Sequence, residues 1–307
     1  MIAPTGDQYV ITRGTSKAII TQVAGALRHF SIGGVDLTEP YGEFDRPPFA
    51  NGIVLMPWPN RVADGVWHLD GIEQQLDLTE PDKHNALHGL LRYTGYRVIE
   101  QTPESVILGA TVFPQHGYPF HLETSVRYEL VDDGLNVTHH VRNLSEKKAP
   151  VAIGAHPFLT IGDVPSEDLT LTVHASTHFD VDARLNPIAE LPVDGTAYDL
   201  RNGARVGDLK LDTAFGGLVT QDGVSAVLRA PDGREVRLVQ DAAHPYVQVF
   251  TTPIFPKNGV LTTAVAVEPM TAPPDAFNSG LGVRWVEPGD SWDVGWGIRY
   301  SGNHEGE

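Results

Sequence analysis

Apolar and polar residues alternate with a period of two along much of the chain, and few stretches repeat at the helical spacing. Alternation of this kind puts successive side chains on opposite faces of a strand. Short β-branched runs at 8–13 and 18–23 precede an apolar stretch from Leu27 to Leu37 that turns at Gly33-Gly34. Asp-Gly pairs recur at 64–65, 70–71, 133–134, 194–195, 222–223 and 232–233, most of them between alternating apolar segments. Asp and Gly tolerate the positive φ of tight hairpin turns, so the pairs read as antiparallel punctuation. In one clear hairpin, Val126, Tyr128 and Leu130 turn at Asp132-Asp133-Gly134 into Leu135 and Val137. In another, Ala226 and Leu228 turn at Pro231-Asp232-Gly233 into Val236 and Leu238. The pattern holds no amphipathic helix of four turns; short helical turns are expected near 208–212 and 274–277.

No stretch looks like a linker, a low-complexity tract or a fixed-period repeat. The pattern therefore predicts an all-β protein: one large antiparallel β-sandwich over residues 1–300, with a C-terminal tail at 301–307. Composition narrows the function. Lys and Arg number 22 against 39 Asp and Glu, a formal net charge of −17. A surface so negative disfavours nucleic acid and anionic membranes and suits a neutral or cationic small molecule. The absence of cysteine excludes disulfides, thiolate metal sites and Cys nucleophiles. The first residues, Met1 to Asp7, carry no basic region and no apolar stretch, and no run of about 18 apolar residues occurs anywhere. A cytoplasmic protein is expected.

Several polar residues interrupt this apolar pattern at places where chemistry could be built. Ala264 to Val267 read as a buried strand that ends in Glu268 and is stopped by Pro269. A carboxylate delivered by an apolar strand is either capped by hydrogen bonds or, partly desolvated, raised toward the pH at which it serves as a base. Val151 to Ala155 repeat the arrangement, running into His156 and Pro157. A histidine there is either a hydrogen-bonded core residue or a general acid or base. Pro57-Trp58-Pro59-Asn60-Arg61 cannot continue a central strand, so Asn60 and Arg61 belong on a rigid loop. An indole face beside Arg and Asn donors suits a sugar; pairing of Arg61 with an acid is the plainer alternative. Asn85-Ala86-Leu87-His88-Gly89 presents a loop histidine. His84 and His88 have the spacing of zinc ligands on a helix, but Gly89 argues against a helix and no Glu stands between them, so no metal site is expected. Asp212, before Thr213 and Ala214, fits a helix N-cap. Gln248 lies on an alternating strand, out of phase with its apolar neighbours, facing a polar pocket or water. His139 and His140 point to opposite faces of their strand.

In this order, Pro-Trp-Pro-Asn-Arg at 57–61, Asn-x-x-His-Gly at 85–89, Gly-Ala-His-Pro-Phe at 154–158, Leu-Asp-Thr-Ala-Phe at 211–215, Gln-Val-Phe-Thr at 248–251 and Val-Glu-Pro-Met-Thr-Ala at 267–272 resemble the aldose 1-epimerase (galactose mutarotase) family. The resemblance runs from the first strands to Asp290. It implies a large antiparallel β-sandwich, a small-molecule sugar substrate, and no metal or cofactor, in a monomer or homodimer. By the same resemblance Glu268 matches the general base, His156 the general acid, and His88 a second histidine that binds and polarises the sugar. Arg61, Asp212, Asn60 and Gln248 match residues that hold its hydroxyls. Ala155 and Leu90 stand where better-known members have Asn and Gly, which puts the chain in a divergent branch.

Mutarotation asks for one carboxylate and one imidazolium on opposite sides of C1–O5, in an open groove. Within the fold, the rival is an epimerase of a sugar phosphate or sulfo-sugar, for which Arg92, Arg97 and Arg184 would supply cations. A non-catalytic carbohydrate-binding module would lack the acid–base pair. A glycoside hydrolase would rest on Glu268 and Asp212 and leave the histidines unexplained.

Overall fold

The hairpin signals fold into two large antiparallel sheets in the computed structural model, which describes residues 2–302. One sheet has nine strands, beginning Arg97–Gln101, Ser105–Val112, Leu122–Val131, Gly134–Asn143 and Ser291–Ser301. The other has eight, with Ala175–Val181, Asp212–Leu218, Tyr246–Lys257 and Val260–Met270 side by side, then the short strands Gly154–Ala155 and Val54–Leu55. Alternation decides what is buried: along Leu122–Val131 every second residue is inside. Val249, Val265 and Val267 of one sheet share a single apolar cluster with Leu238, Trp296 and Ile298 of the other, so the two sheets close on a common core. A separate four-stranded sheet spans Gln8–Arg13, Ser16–Thr21, Leu27–Ile32 and Val35–Asp36.

Both singled-out hairpins form, pairing Leu122–Val131 with Gly134–Asn143 and Val224–Arg229 with Glu235–Gln240. The Asp-Gly pairs at 64–65, 70–71 and 222–223 have positive φ at both residues. At 133–134 the reason for glycine is different. Gly134 lies within the sheet, and a Cβ there would come 1.9 Å from the carbonyl oxygen of Ile298 on the neighbouring strand.

Three local expectations change. The helical turns fall at Val206–Asp208 and Ala276–Ser279, and Asp212 begins the strand Asp212–Leu218 instead of capping a helix. Glu268 is not at a strand end, because the strand continues through Pro269 to Met270. The segment before His156 is broken: Ala149–Val151 pairs with Arg284–Val286, and only Gly154–Ala155 joins the eight-stranded sheet. Ser301 still pairs with Glu235 in the last strand, and the rest of the expected tail, 303–307, lies outside the described residues. Among the described residues no helix is long and apolar enough to cross a membrane.

Gly134→Ala is expected to cost about 2–3 kcal/mol, because the carbonyl it meets is fixed in the sheet. Urea denaturation measures this; an unchanged midpoint would mean that strand Ser291–Ser301 can shift aside.

Candidate active site

Three neighbouring strands of the eight-stranded sheet each bring one polar side chain to the same face. Gln248 lies directly opposite Glu268 in the register, and Asp212 is opposite Phe250, two residues along. Two loops complete the ring around them. Arg61 and Leu87 pair across the two short antiparallel strands Arg61–Ala63 and Asn85–Leu87, so Asn60 and His88 flank that pair side by side, and the His88 amide donates to the Asn60 carbonyl at 2.9 Å. Asn60 and His88 both have left-handed backbones, with φ of 53° and 64°. Gly89 follows in the same region, where a Cβ would sit 2.2 Å from the Met56 carbonyl oxygen. His156 enters from the far side, its backbone held by the Gly52 amide donating to its carbonyl at 2.8 Å.

Asn60, Arg61, His88, His156, Asp212 and Glu268 line one cavity of about 380 Å³, which opens past Phe49 and Arg92. Gln248 stands behind Asp212, donating from Nε2 to Oδ1 at 2.6 Å. All seven residues singled out from the sequence therefore meet at one place. Arg61 is buried and held by acids: it donates from Nε and Nη2 to the two oxygens of Glu80, both at 2.9 Å, and from Nη2 to Asp212 at 3.2 Å. Arg61 is thus ion-paired, the plainer of its two readings, and also lines the cavity.

The centre of the cavity is a carboxylate and an imidazole in contact. Glu268 Oε1 is 3.4 Å from His156 Nε2, with both side chains buried. Glu268 Oε2 and His156 Nδ1 are buried without a hydrogen-bond partner among the described residues. Burial, then the neighbouring Asp212, push the Glu268 carboxyl well above the usual range, against the pull of Arg61. Burial pushes His156 down to about 4, aided by the positive charges of Arg92 and Arg61. Each shift favours a neutral group, and the attraction between carboxylate and imidazolium at this distance opposes both. Two groups in contact titrate as a coupled pair. His88 meets His156 edge-on, with ring centroids 5.2 Å apart. Burial and the surrounding positive charges hold it well below its ordinary value, so it is a neutral imidazole.

Two groups are expected on opposite sides of C1–O5; the two stand next to each other, 3.4 Å apart, and face one cavity. Trp58 is also placed otherwise: it is 2% exposed and packs on Phe277 and Tyr118 in the core. The aromatic rings at the cavity are Phe49 and Phe250, neither of which the sequence singled out. Glu80 was missed as well; it stands 19 residues from Arg61 and carries no local signal. Of the three arginines weighed for an anionic sugar, only Arg92 lines the cavity. Arg97 is exposed beside Glu123, and Arg184 pairs with Asp64 at 2.6 Å. His84 is turned away to Asp64 and shares no site with His88.

The antiparallel sandwich itself has solved counterparts. The GalM/aldose epimerase homologue from C. elegans superposes with a TM-score of 0.84, over 96% of this chain and 98% of that one, at 19% identity. The galactose 1-epimerase from Lactobacillus acidophilus NCFM does so with a TM-score of 0.78, over 97% and 95%, at 19% identity. These likenesses define a galactose mutarotase-like fold. In sequence, the uncharacterized protein YihR of Escherichia coli (strain K12) is 31% identical over 287 residues, 93% of this chain and 90% of that one. Galactose mutarotase of Homo sapiens is 30% identical over 175 residues, 54% of this chain and 49% of that one. The sequence profile of the aldose 1-epimerase family matches residues 7–299, and the chain belongs to that family.

The Arg61–Glu80 pair makes a stability prediction. Burial disfavours the Glu80 carboxylate, but hydrogen bonds from Arg61 and Asn85 outweigh it and hold the group below its ordinary 4.5. Its contribution is therefore present above that value and lost as pH falls through the lower, folded pKa. Glu80→Ala should cost about 3 kcal/mol at neutral pH by leaving Arg61 short of a partner, and less in acid. Thermal unfolding across pH measures both; a Tm loss independent of pH would show that the charge pair is not the cause.

Proposed function

We propose that the protein is an aldose 1-epimerase that interconverts the α and β anomers of a free aldose, with no cofactor. The observation that carries this reading is the buried contact between Glu268 and His156, facing one cavity, with Glu268 Oε2 and His156 Nδ1 unpartnered among the described residues. A hemiacetal carbon bears two oxygens, O1 and O5. Glu268 takes the proton from O1 while His156 gives one to O5; the C1–O5 bond breaks and an aldehyde forms. C1–C2 rotates, and the reverse transfers close the ring on the other face of the carbonyl. No proton is gained or lost over the cycle, which suits a pair holding one. His88, a neutral donor, polarises the oxygen beside it. Arg61, Asp212 and Asn60 hold hydroxyls and fix the register of C1, and Gln248 holds Asp212 in place from behind. The chemistry asks for no metal or nucleotide, and the acidic surface suits a cytoplasmic monomer or homodimer acting on a small sugar.

Glu268→Gln and His156→Asn are each expected to lower kcat at least 10²-fold, with little change in Tm. Anomer exchange measured by NMR at equilibrium is the readout, and full activity in either variant would remove that residue from its role. The pH profile should be a bell. Activity falls on the acid side near pH 4, where His156 takes up a second proton, and on the alkaline side as the last proton leaves Glu268, above its ordinary 4.5. A flat profile between pH 4 and 9 would contradict the shared proton.

Arg92 favours a second reading, in which the aldose carries a phosphate or sulfonate at the end remote from C1. Arg92 lines both the reaction cavity and a larger adjoining one of about 940 Å³, which Arg46 also lines. Neither arginine forms an ion pair among the described residues, in a chain of net charge −17. Glucose 6-phosphate and glucose, compared as substrates, separate the readings. An anionic preference of tenfold or more in kcat/KM that disappears in Arg92→Ala supports the second; equal use of both sugars supports the first.

A further inference from the structure

With Trp58 turned into the core, the hydroxyl-binding groups named above leave the apolar face of a sugar without a partner. A pyranose has a rim of hydroxyls and two faces made largely of C–H bonds. The cavity offers such a face a flat surface at Phe49. This residue is 38% exposed, although its ring packs 6.0 Å from Phe250 and 6.3 Å from Phe255, nearly parallel to the latter at 24°. Its backbone is left-handed, with φ 49° and ψ 36°, and Ala50 follows at φ 61°. Two consecutive side-chain-bearing residues in that region are uncommon, and such strain persists only where the surroundings fix it.

The surroundings do fix it. Pro47 and Pro48 stiffen the approach. Asn51, fully buried, donates from its amide to the Pro48 carbonyl at 2.9 Å and so closes the turn. Its side chain donates to the Glu39 carbonyl at 2.7 Å and accepts from the Phe158 amide at 3.3 Å. Gly52 then binds the His156 carbonyl. One buried asparagine thus sets the wall and the turn that carries His156 in the same frame. A ring held in strain, half in solvent, on the rim of a cavity lined with sugar-binding polar groups is placed for contact with a ligand.

We infer that Phe49 is the specificity-determining wall of the cavity, packing its ring against the C–H face of an aldopyranose whose C1 lies at Glu268 and His156. The inference rests on the aldose reading above. Removing the ring should weaken binding of ground state and transition state alike, since the C–H face does not change as the hemiacetal proton moves.

The test is a KM-against-kcat split. With the aldose that the wild type turns over fastest, Phe49→Ala should raise KM about tenfold, the effect of burying roughly 50 Å² of C–H surface, and leave kcat within about threefold. Phe49→Trp should bring KM back to within about threefold of wild type. Should Phe49→Ala fail to fold, Phe49→Leu, which keeps bulk but no planar face, is expected to show the same rise. Saturation-transfer NMR with the methyl β-glycosides of glucose and galactose reads the contact without turnover, because their blocked anomeric oxygen cannot open. The C–H protons of one face should take up saturation in the wild type and lose it in the Ala or Leu variant. An inactive wild type that still shows this contact overturns the epimerase reading and leaves the wall standing. An active wild type whose KM and saturation pattern survive loss of the ring overturns the wall alone.

Discussion

A carboxylate inside a β-sheet, with its charge offset by little besides one imidazole, is the constraint from which the rest of the structure follows. On its own face of the strand Glu268 has Ala264 and Ala266 as neighbours, both in an apolar cluster, and Gln248 opposite. An ionised acid there loses its hydration, and hydrogen bonds do not replace it. His156 at 3.4 Å and the more distant charge of Arg61 are what make ionisation affordable at all. A carboxyl pushed above its ordinary range in this way is suited to proton exchange, and a rigid sheet holds the arrangement in place.

Delivery of the remaining groups follows a division of labour. Adjacent strands place Asp212, Gln248 and Glu268, whose spacing is set by register and tolerates little error. Loops supply Asn60, His88 and Phe49, and each of these has a left-handed backbone. Left-handed conformations for side-chain-bearing residues carry a cost, and their concentration around one cavity marks where packing has been given over to a site. The arginines show the same economy. Arg61 is locked between Glu80 and Asp212, while Arg92, at the junction of two cavities, pairs with no acid among the described residues.

Much of this was legible along the chain because it is local. Asp-Gly turns between alternating segments mark hairpins, and Glu268 and His156 announce themselves as polar residues set between apolar residues and a proline. The misreadings share a cause: the deciding contacts are far away in sequence. Asp212 has the sequence of a helix cap, but its strand is set by pairing with Tyr246–Lys257. Trp58 beside Asn60 and Arg61 looks like a sugar platform, yet nothing local says which way the loop turns, and Phe277 and Tyr118 take the indole inward. Phe49 carries no periodic signal, since its conformation depends on what Asn51 binds at Glu39 and Phe158. The match of the family profile over 7–299 agrees with the order of the six motifs and does not depend on any of these contacts.

The proposed sharing of a proton between Glu268 and His156 can be tested directly. Nitrogen chemical shifts of the His156 ring, followed from pH 3 to 9 in the wild type and in Glu268→Gln, report where the imidazole is protonated. A facing carboxylate stabilises the imidazolium, so His156 should release its proton at a distinctly lower pH once the charge is removed. Superimposable titrations in the two proteins would mean that the groups do not share a proton, and the account built on their contact would fail.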